Sequence, residues 1–259
     1  MEDTTILITD KGAIRTITLN RPERRNAMTP QMQLELIAAL KEAATSGIRV
    51  LVLRGAGEAF CSGLDLSVLQ EMKNKTAAEY HTDAERIARL FRTLYEVPIP
   101  TIALVRGAAI AGGTGLAALC DFTLAEPAGK FGYTEVRIGF VPALVSAFLA
   151  LQIGDKRARD LLLTGRLFDA AEAHRLGLVN EVLPPEELEG RVETLAKTLA
   201  ANSPASLAAT KRLMAAQNKP WLDAAIALAM EASAQSRETA DFREGVAAFL
   251  EKRKPVWKE

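Results

Sequence analysis

Two short runs, residues 50–53 (Val-Leu-Val-Leu) and 101–105 (Thr-Ile-Ala-Leu-Val), constrain the fold more than any other part of the chain. A strand with no polar alternation has no face to give to water, so each run must be covered on both sides, as in a parallel sheet flanked by helices. The intervening sequence supplies those helices. Thr29-Pro30 is a cap followed by a first-turn proline, and it opens a helix through about Lys41 with Met32, Leu36 and Leu40 on one face. A long amphipathic segment then ends near Tyr95, where Pro98 and Pro100 stop it. A Gly-rich turn, a helix over 116–120 and a strand over 122–125 repeat the alternation, which predicts an α/β spiral of such units.

At the start, residues 6–8 and 13–19 alternate β-branched side chains around Asp10-Lys11-Gly12, as a hairpin or as successive strands. After about Pro185 the periodicity becomes purely helical. Segments 188–199, 205–216 and a last stretch to Leu250 are separated by Asn202-Ser203-Pro204 and Lys219-Pro220. The expected organisation is a core over residues 1–184 and a helical appendage over 185–259. The 259 residues suffice for a large core plus such an appendage.

Lys plus Arg and Asp plus Glu number 32 each, so no net field draws the chain to nucleic acid or to an anionic membrane. Cys61 and Cys120 are too few for a disulfide framework, and no Cys/His spacing suits zinc; a reducing cytoplasm fits. Met1-Glu2-Asp3-Thr4-Thr5 has neither the basic nor the apolar block of a signal peptide, and no later apolar run reaches spanning length.

Chemistry concentrates in two loops. Ala111-Gly112-Gly113-Thr114-Gly115 runs into a helix, where unpaired N–H groups at the positive end of the helix dipole can hold an anion or a developing oxyanion. Close strand-to-helix packing would use the same glycines. Leu116-Ala117-Ala118 follows Gly115, so the third glycine of a dinucleotide fingerprint is missing. The second loop, Arg54 to Leu66, follows the first buried run, and its amides near Leu64 can supply a second donor. Ser62 invites a hydrolase reading, but Phe60 stands at the first glycine position of a nucleophile elbow and no paired histidine is evident. Asp65 suits a cap for a helix beginning near Leu66, and Asp121 suits backbone bonding at a turn. His81 and His174 carry no motif.

Several ordered motifs resemble the enoyl-CoA hydratase/isomerase (crotonase) family over nearly the whole chain. They are Leu19 to Ala27, Ala59 to Leu66, Gly107 to Asp121, Phe131 to Gly139, Leu163 to Arg166, Ala170 to Asn180 and Phe249 to Arg253. The resemblance implies a spiral of ββα units, a C-terminal trimerisation region, and homotrimers often paired into hexamers. It implies acyl-CoA thioester substrates, with coenzyme A as part of the substrate and no separate cofactor. By motif the oxyanion hole falls on the amides of Leu64 and Gly112, where one donor is worth about 3 kcal/mol. The catalytic carboxylate falls on Glu135. CoA-binding positions fall on Arg24, Arg25 and Ala27 and on Cys61, Ser62, Asp65 and Leu66, with Arg24 or Arg25 meeting a phosphate. Phe249 and Lys252 match a C-terminal segment that often reaches CoA.

Two departures matter. Two-base hydratases of the family carry one glutamate at the position of Gly115 and the other at that of Glu135, so the water-holding pair cannot form here. Hydration of 2-enoyl-CoA is the leading expectation from overall similarity. Migration of a double bond from 3-enoyl to 2-enoyl forms, with Glu135 as single proton shuttle, is the close alternative, and a non-catalytic acyl-CoA-binding relative is the third. After Gly139, where hydratases usually read Pro-Gly-x-Gly-Gly, the chain reads Pro142-Ala143-Leu144-Val145-Ser146. Leu144, Val145 and Phe148 are expected to be core for two of the three and pocket for the other.

Overall fold

A computed structural model describes residues 4–72 and 75–257, so Met1 to Asp3 of the acidic start lie outside the described residues. In chain order β1 (Ile6–Lys11), β2 (Ile14–Leu19), α1 (Pro30–Ala43), β3 (Val50–Gly55), α2 (Leu66–Met72), α3 (Ala77–Glu96), β4 (Thr101–Val105), β5 (Ala108–Ile110) and α4 (Gly112–Leu119) lead into the middle of the chain. There follow β6 (Phe122–Ala125), β7 (Lys130–Gly132), a 3-10 turn at Glu135–Ile138, α5 (Ala143–Ile153), α6 (Asp155–Thr164), β8 (Leu167–Asp169), α7 (Ala170–Leu176) and β9 (Glu181–Val182). Three helices close the chain: α8 (Pro185–Ala201), α9 (Pro204–Ser236) and α10 (Ala240–Leu250).

The main sheet runs β1-β2-β3-β4-β6-β9 and a smaller one β5-β7-β8. β1 and β2 form the antiparallel hairpin, in register from Ile6 opposite Leu19 to Lys11 opposite Ile14. β2, β3, β4, β6 and β9 are parallel neighbours. The unbroken apolar runs behave as their composition demands. Leu51, Leu53, Ala103 and Val105 enter the core on one side of the sheet, with α1, α3 and α4. Val50, Val52, Ile102 and Leu104 face the other side, where α8 covers them with Leu188, Val192, Ala196 and Leu199.

The helices after Pro185 are therefore packed on the rest of the chain. α8 forms the second cover of the sheet, Leu222, Ile226 and Ala229 of α9 join the main core, and Phe242 and Val246 of α10 pack with Val68, Leu69 and Met72 of α2. Boundaries differ from expectation in two places: α4 begins at Gly112, a turn before Leu116, and α9 runs through Pro220 to Ser236, where the last break falls instead. A mid-helix proline costs about 3 kcal/mol. Here packing against α3 outweighs it, reinforced around the proline by Asn218 Nδ2 on the Tyr95 hydroxyl (3.0 Å) and Lys219 on Asp223 (2.7 Å). Among the described residues no helix is long and apolar enough to cross a membrane.

Candidate active site

The start of α4 is set by a strained turn. Ala111 has φ 53° and ψ −121°, an unfavourable conformation for a side-chain-bearing residue, held by its N–H donating to the Gly132 carbonyl at 2.7 Å. The Thr114 hydroxyl fastens the same corner. It lies 2.5 Å from the Ala109 carbonyl and 3.0 Å from that of Gly132, and it accepts the Gly132 N–H at 3.1 Å. The first turn of α4 is thus tied to β7, three residues before Glu135.

The loop after β3 lies alongside. Cys61 donates its N–H to Ala108 (3.0 Å) and accepts from Ile110 (2.9 Å), which makes a short parallel bridge with β5. A Cβ on Gly113 would run into the carbonyl of Cys61, so glycine is required for the helix to start this close. Gly63 turns with φ +92°, and Leu64 then bridges to Met28. The result brings Leu64, Gly112 and Glu135 around one cavity of about 150 Å³. Neither the Leu64 nor the Gly112 N–H meets an acceptor among the described residues.

Glu135 opens the 3-10 turn and is 9% exposed. Its Oε2 is buried without a hydrogen-bond partner among the described residues. Removal from water pushes the carboxyl up to about 7, opposed only by its own backbone N–H. It is the one acid among the described residues lining the cavity. The space beside Gly115 is closed as well: a Cβ there would sit 2.9 Å from Val145 Cγ1 and 3.0 Å from Phe91 Cζ. Phe91 is held edge-on by Phe148 at 6.3 Å between centroids, and Tyr95 packs on the same ring of Phe148. Two apolar side chains thus occupy the place a second carboxylate would need.

The remaining expected residues fall into two groups. Arg24 and Arg25 are exposed and make no ion pair with a described residue, Leu66 is exposed, and Ser62 lines the cavity. Ala27, Cys61 and Asp65 are turned inward. Burial pushes the Cys61 thiol up to about 12, so it has no nucleophilic thiolate at neutral pH. Asp65 accepts from the Ser67 N–H at 2.8 Å as the expected cap, and its other oxygen pairs with Arg21 Nη1 at 2.6 Å. Any contact these two make with CoA would come from main chain.

Asp121 serves the backbone as expected, accepting from Thr101 N–H (2.7 Å) and pairing with Lys211 (2.5 Å). His81 faces Glu85 and His174 Nδ1 faces the Val179 carbonyl, so neither is at Ser62. Leu144 and Val145 both line the cavity and only Phe148 is pure core, the reverse of the two-to-one expectation. The helical turn at Ala143 presents consecutive residues inward because α5 is buried nearly all round.

Several contributors escaped sequence reasoning. Asn26, fully buried, accepts from the Arg21 N–H and donates to the carbonyls of Ala56 and Ala59, and so ties the turn at 21–26 to the loop after β3. Phe91 and Ile87 reach the cavity from α3, and Ser233 and Arg237 from the end of α9 and the turn after it, while Phe249 of α10, singled out in the sequence, lines it as well. Helical spacing marks a buried face without saying which residues on it meet a cavity.

The fold thus sets two open amides and one protonable carboxylate around a largely apolar cavity, a layout chemically able to hold charge on a carbonyl oxygen and to move a proton. Known proteins give that layout its family. The enoyl-CoA hydratase/isomerase profile matches residues 9–259. A Thermus thermophilus protein provisionally named as an enoyl-CoA hydratase is 45% identical over 95% of this chain and 98% of its own length. Rat enoyl-CoA hydratase domain-containing protein 3, mitochondrial, is 32% identical over 95% of this chain and 82% of its own. The crystal structure of an enoyl-CoA hydratase/isomerase from Xanthobacter autotrophicus superposes with TM-score 0.88 at 30% identity, covering 96% of this chain and 97% of the other. The chain belongs to the enoyl-CoA hydratase/isomerase (crotonase) family, whose members act on acyl-CoA thioesters.

Proposed function

We propose that the protein processes enoyl-CoA thioesters with Glu135 as its only acid/base and the amides of Leu64 and Gly112 as oxyanion hole, and that moving a double bond from carbon 3 to carbon 2 is the reaction this geometry serves best. The observation that carries the reading is the occupation of the Gly115 space by Phe91 and Val145. Glu135 as carboxylate takes a proton from carbon 2. The C–H electrons enter a dienolate whose charge rests on the thioester oxygen between the two amides. The acid so formed returns the proton to carbon 4, and the double bond closes between carbons 2 and 3. No water needs activation, and burial keeps Glu135 near the midpoint where it can both take and give a proton.

Hydration of 2-enoyl-CoA is the second reading, favoured by the names of the relatives. It requires protonated Glu135 to supply carbon 2 while water attacks carbon 3 without a second carboxylate. That loss typically costs about 10² to 10⁴ in rate. Parallel assays of one preparation with 3-enoyl-CoA and 2-enoyl-CoA separate the two: faster isomerisation supports the first, and faster formation of 3-hydroxyacyl-CoA reverses it. Tight binding of both without turnover would instead favour the non-catalytic relative.

Assembly belongs to the same proposal. Residues 185–259 would serve as the trimerisation region of a homotrimer or dimer of trimers, with 1–184 as the core that frames the site. Leu213, Met214, Trp221 and Leu228 stand exposed on α9, an apolar face that a second copy would cover. A reducing cytoplasm remains the proposed compartment, consistent with buried free thiols at Cys61 and Cys120.

A further inference from the structure

The cavity contains a second charged group that the proton chemistry does not use. Arg237 follows the end of α9, lines the cavity beside Ser233 and Phe140, and has a side chain with 0% exposure. Its guanidinium is poorly matched. Nη1 reaches the Tyr80 carbonyl and Nη2 the Ser233 hydroxyl, each at 3.3 Å, while Nε is buried with no acceptor among the described residues. Its nearest carboxylate, Asp83, stands 3.7 Å away and is already bonded by Lys75 and Arg86. One carboxylate therefore faces three cations. The rings of Phe140 and Tyr80, 5.1 and 5.7 Å from the guanidinium carbon, hold it in place without neutralising it.

Burying a guanidinium with an unmatched Nε–H and only a share of one carboxylate is costly, and a residue needed only to join α3 to α9 would not require it. Burial lowers Arg237 to about 10, which leaves it a cation at neutral pH. Arg237 and Glu135 both line the cavity, and among the described residues the ion pair of Arg237 is with Asp83. What the guanidinium lacks among the described residues is a carboxylate of its own.

We propose that Arg237, with Ser233, forms a subsite for a carboxylate at the far end of the acyl chain, so that the preferred substrates are ω-carboxy enoyl-CoA thioesters. A guanidinium whose Nε–H meets no acceptor among the described residues presents a donor that a carboxylate oxygen takes up, and the Ser233 hydroxyl, which accepts from Nη2, has a hydrogen of its own to donate. The proposal rests on the acyl-CoA reading of the cavity, and binding can be measured without turnover.

The test uses the full chain and saturated acyl-CoA pairs of about four to eight acyl carbons, one member ending in methyl and the other in carboxylate. At the matching length the carboxylate-ended thioester should bind at least about ten-fold more tightly, the scale of a charged hydrogen bond. Arg237→Met should bring the ratio of the two Kd values near one, and Arg237→Lys should keep part of it. Equal binding at every length, or a preference that survives Arg237→Met, overturns the subsite and leaves the proton chemistry standing. Failure of both members to bind overturns both. If Arg237→Met does not fold, the wild-type length series alone decides.

Discussion

The two walls of the cavity are built on different principles. One is main chain: the loop 61–64 and the start of α4 present the amides of Leu64 and Gly112, fixed by short backbone bonds and by a glycine that nothing larger can replace. The other is side chain: Phe91, Leu144 and Val145 enclose Glu135 in apolar surroundings and fill the space next to Gly115. In the proposed function the first wall is the part that would stabilise charge on any thioester. The second decides how many proton-transfer groups meet it, and here admits one. The difference separates what a family shares from what a member does with it.

The most damaging change to the side-chain wall is Glu135→Gln. Turnover should fall by about 10² to 10⁴, measured as kcat on 3-enoyl-CoA. The same variant should be more stable. A folded carboxyl raised from 4.5 to about 7 keeps its proton where the unfolded chain has lost it. Its full stabilising contribution is therefore present below 4.5 and is lost as pH rises to about 7. At pH 8 the glutamine variant should gain up to about 3 kcal/mol over wild type in urea unfolding.

The main-chain wall is attacked by Gly113→Ala. Displacing the α4 start from Cys61 should cost about 10² to 10³ in kcat by misplacing an oxyanion donor, with a loss of about 1 to 3 kcal/mol in stability from overpacking. Equal activity in this variant would detach the amides from the chemistry.

Gly115→Glu sharpens the comparison because it asks whether sequence or space is limiting. With Phe91 and Val145 in place, the new side chain should lower stability by about 1 to 3 kcal/mol and leave the hydration rate unimproved. Adding Phe91→Ala should raise hydration above the single variant. If Gly115→Glu alone confers rapid hydration, the apolar filling is not what excludes the second acid.

pH gives a smaller but cleaner signal. Isomerisation needs Glu135 ionised on arrival, so kcat/KM on 3-enoyl-CoA should rise through about 7 and then level. Hydration needs it protonated, so kcat/KM on 2-enoyl-CoA should fall over the same range. Smallest of all, Arg24→Ala or Arg25→Ala should raise KM about two- to five-fold with kcat unchanged, the modest worth of an exposed ion pair.

The main-chain wall was legible in local sequence patterns, and the side-chain wall only in part, through Glu135 and the apolar run at 144–148. Gly112-Gly113 before an apolar stretch and the loop ending in Leu64 are local patterns, and backbone donors follow from them directly. The buried runs at 50–53 and 101–105 likewise fixed the parallel sheet and its two covered faces. Phe91 belongs to α3, Val145 to α5 and Arg237 to the end of α9, and only tertiary packing brings them to the same cavity. The glycine at 115 could be read as a missing acid, but not as a place already filled. Pro220 misled for the same reason, since contacts with α3 outweigh a local breaker.

The claim that one carboxylate carries both proton steps is tested most directly by following a label. With 3-enoyl-CoA deuterated at carbon 2, a single buried group that takes and returns the same hydron should place measurable deuterium at carbon 4 of the first-formed 2-enoyl-CoA in ordinary water, read by mass spectrometry. A product carrying only solvent hydrogen at carbon 4 from the earliest turnovers, or accumulation of 3-hydroxyacyl-CoA instead of 2-enoyl-CoA, would contradict it.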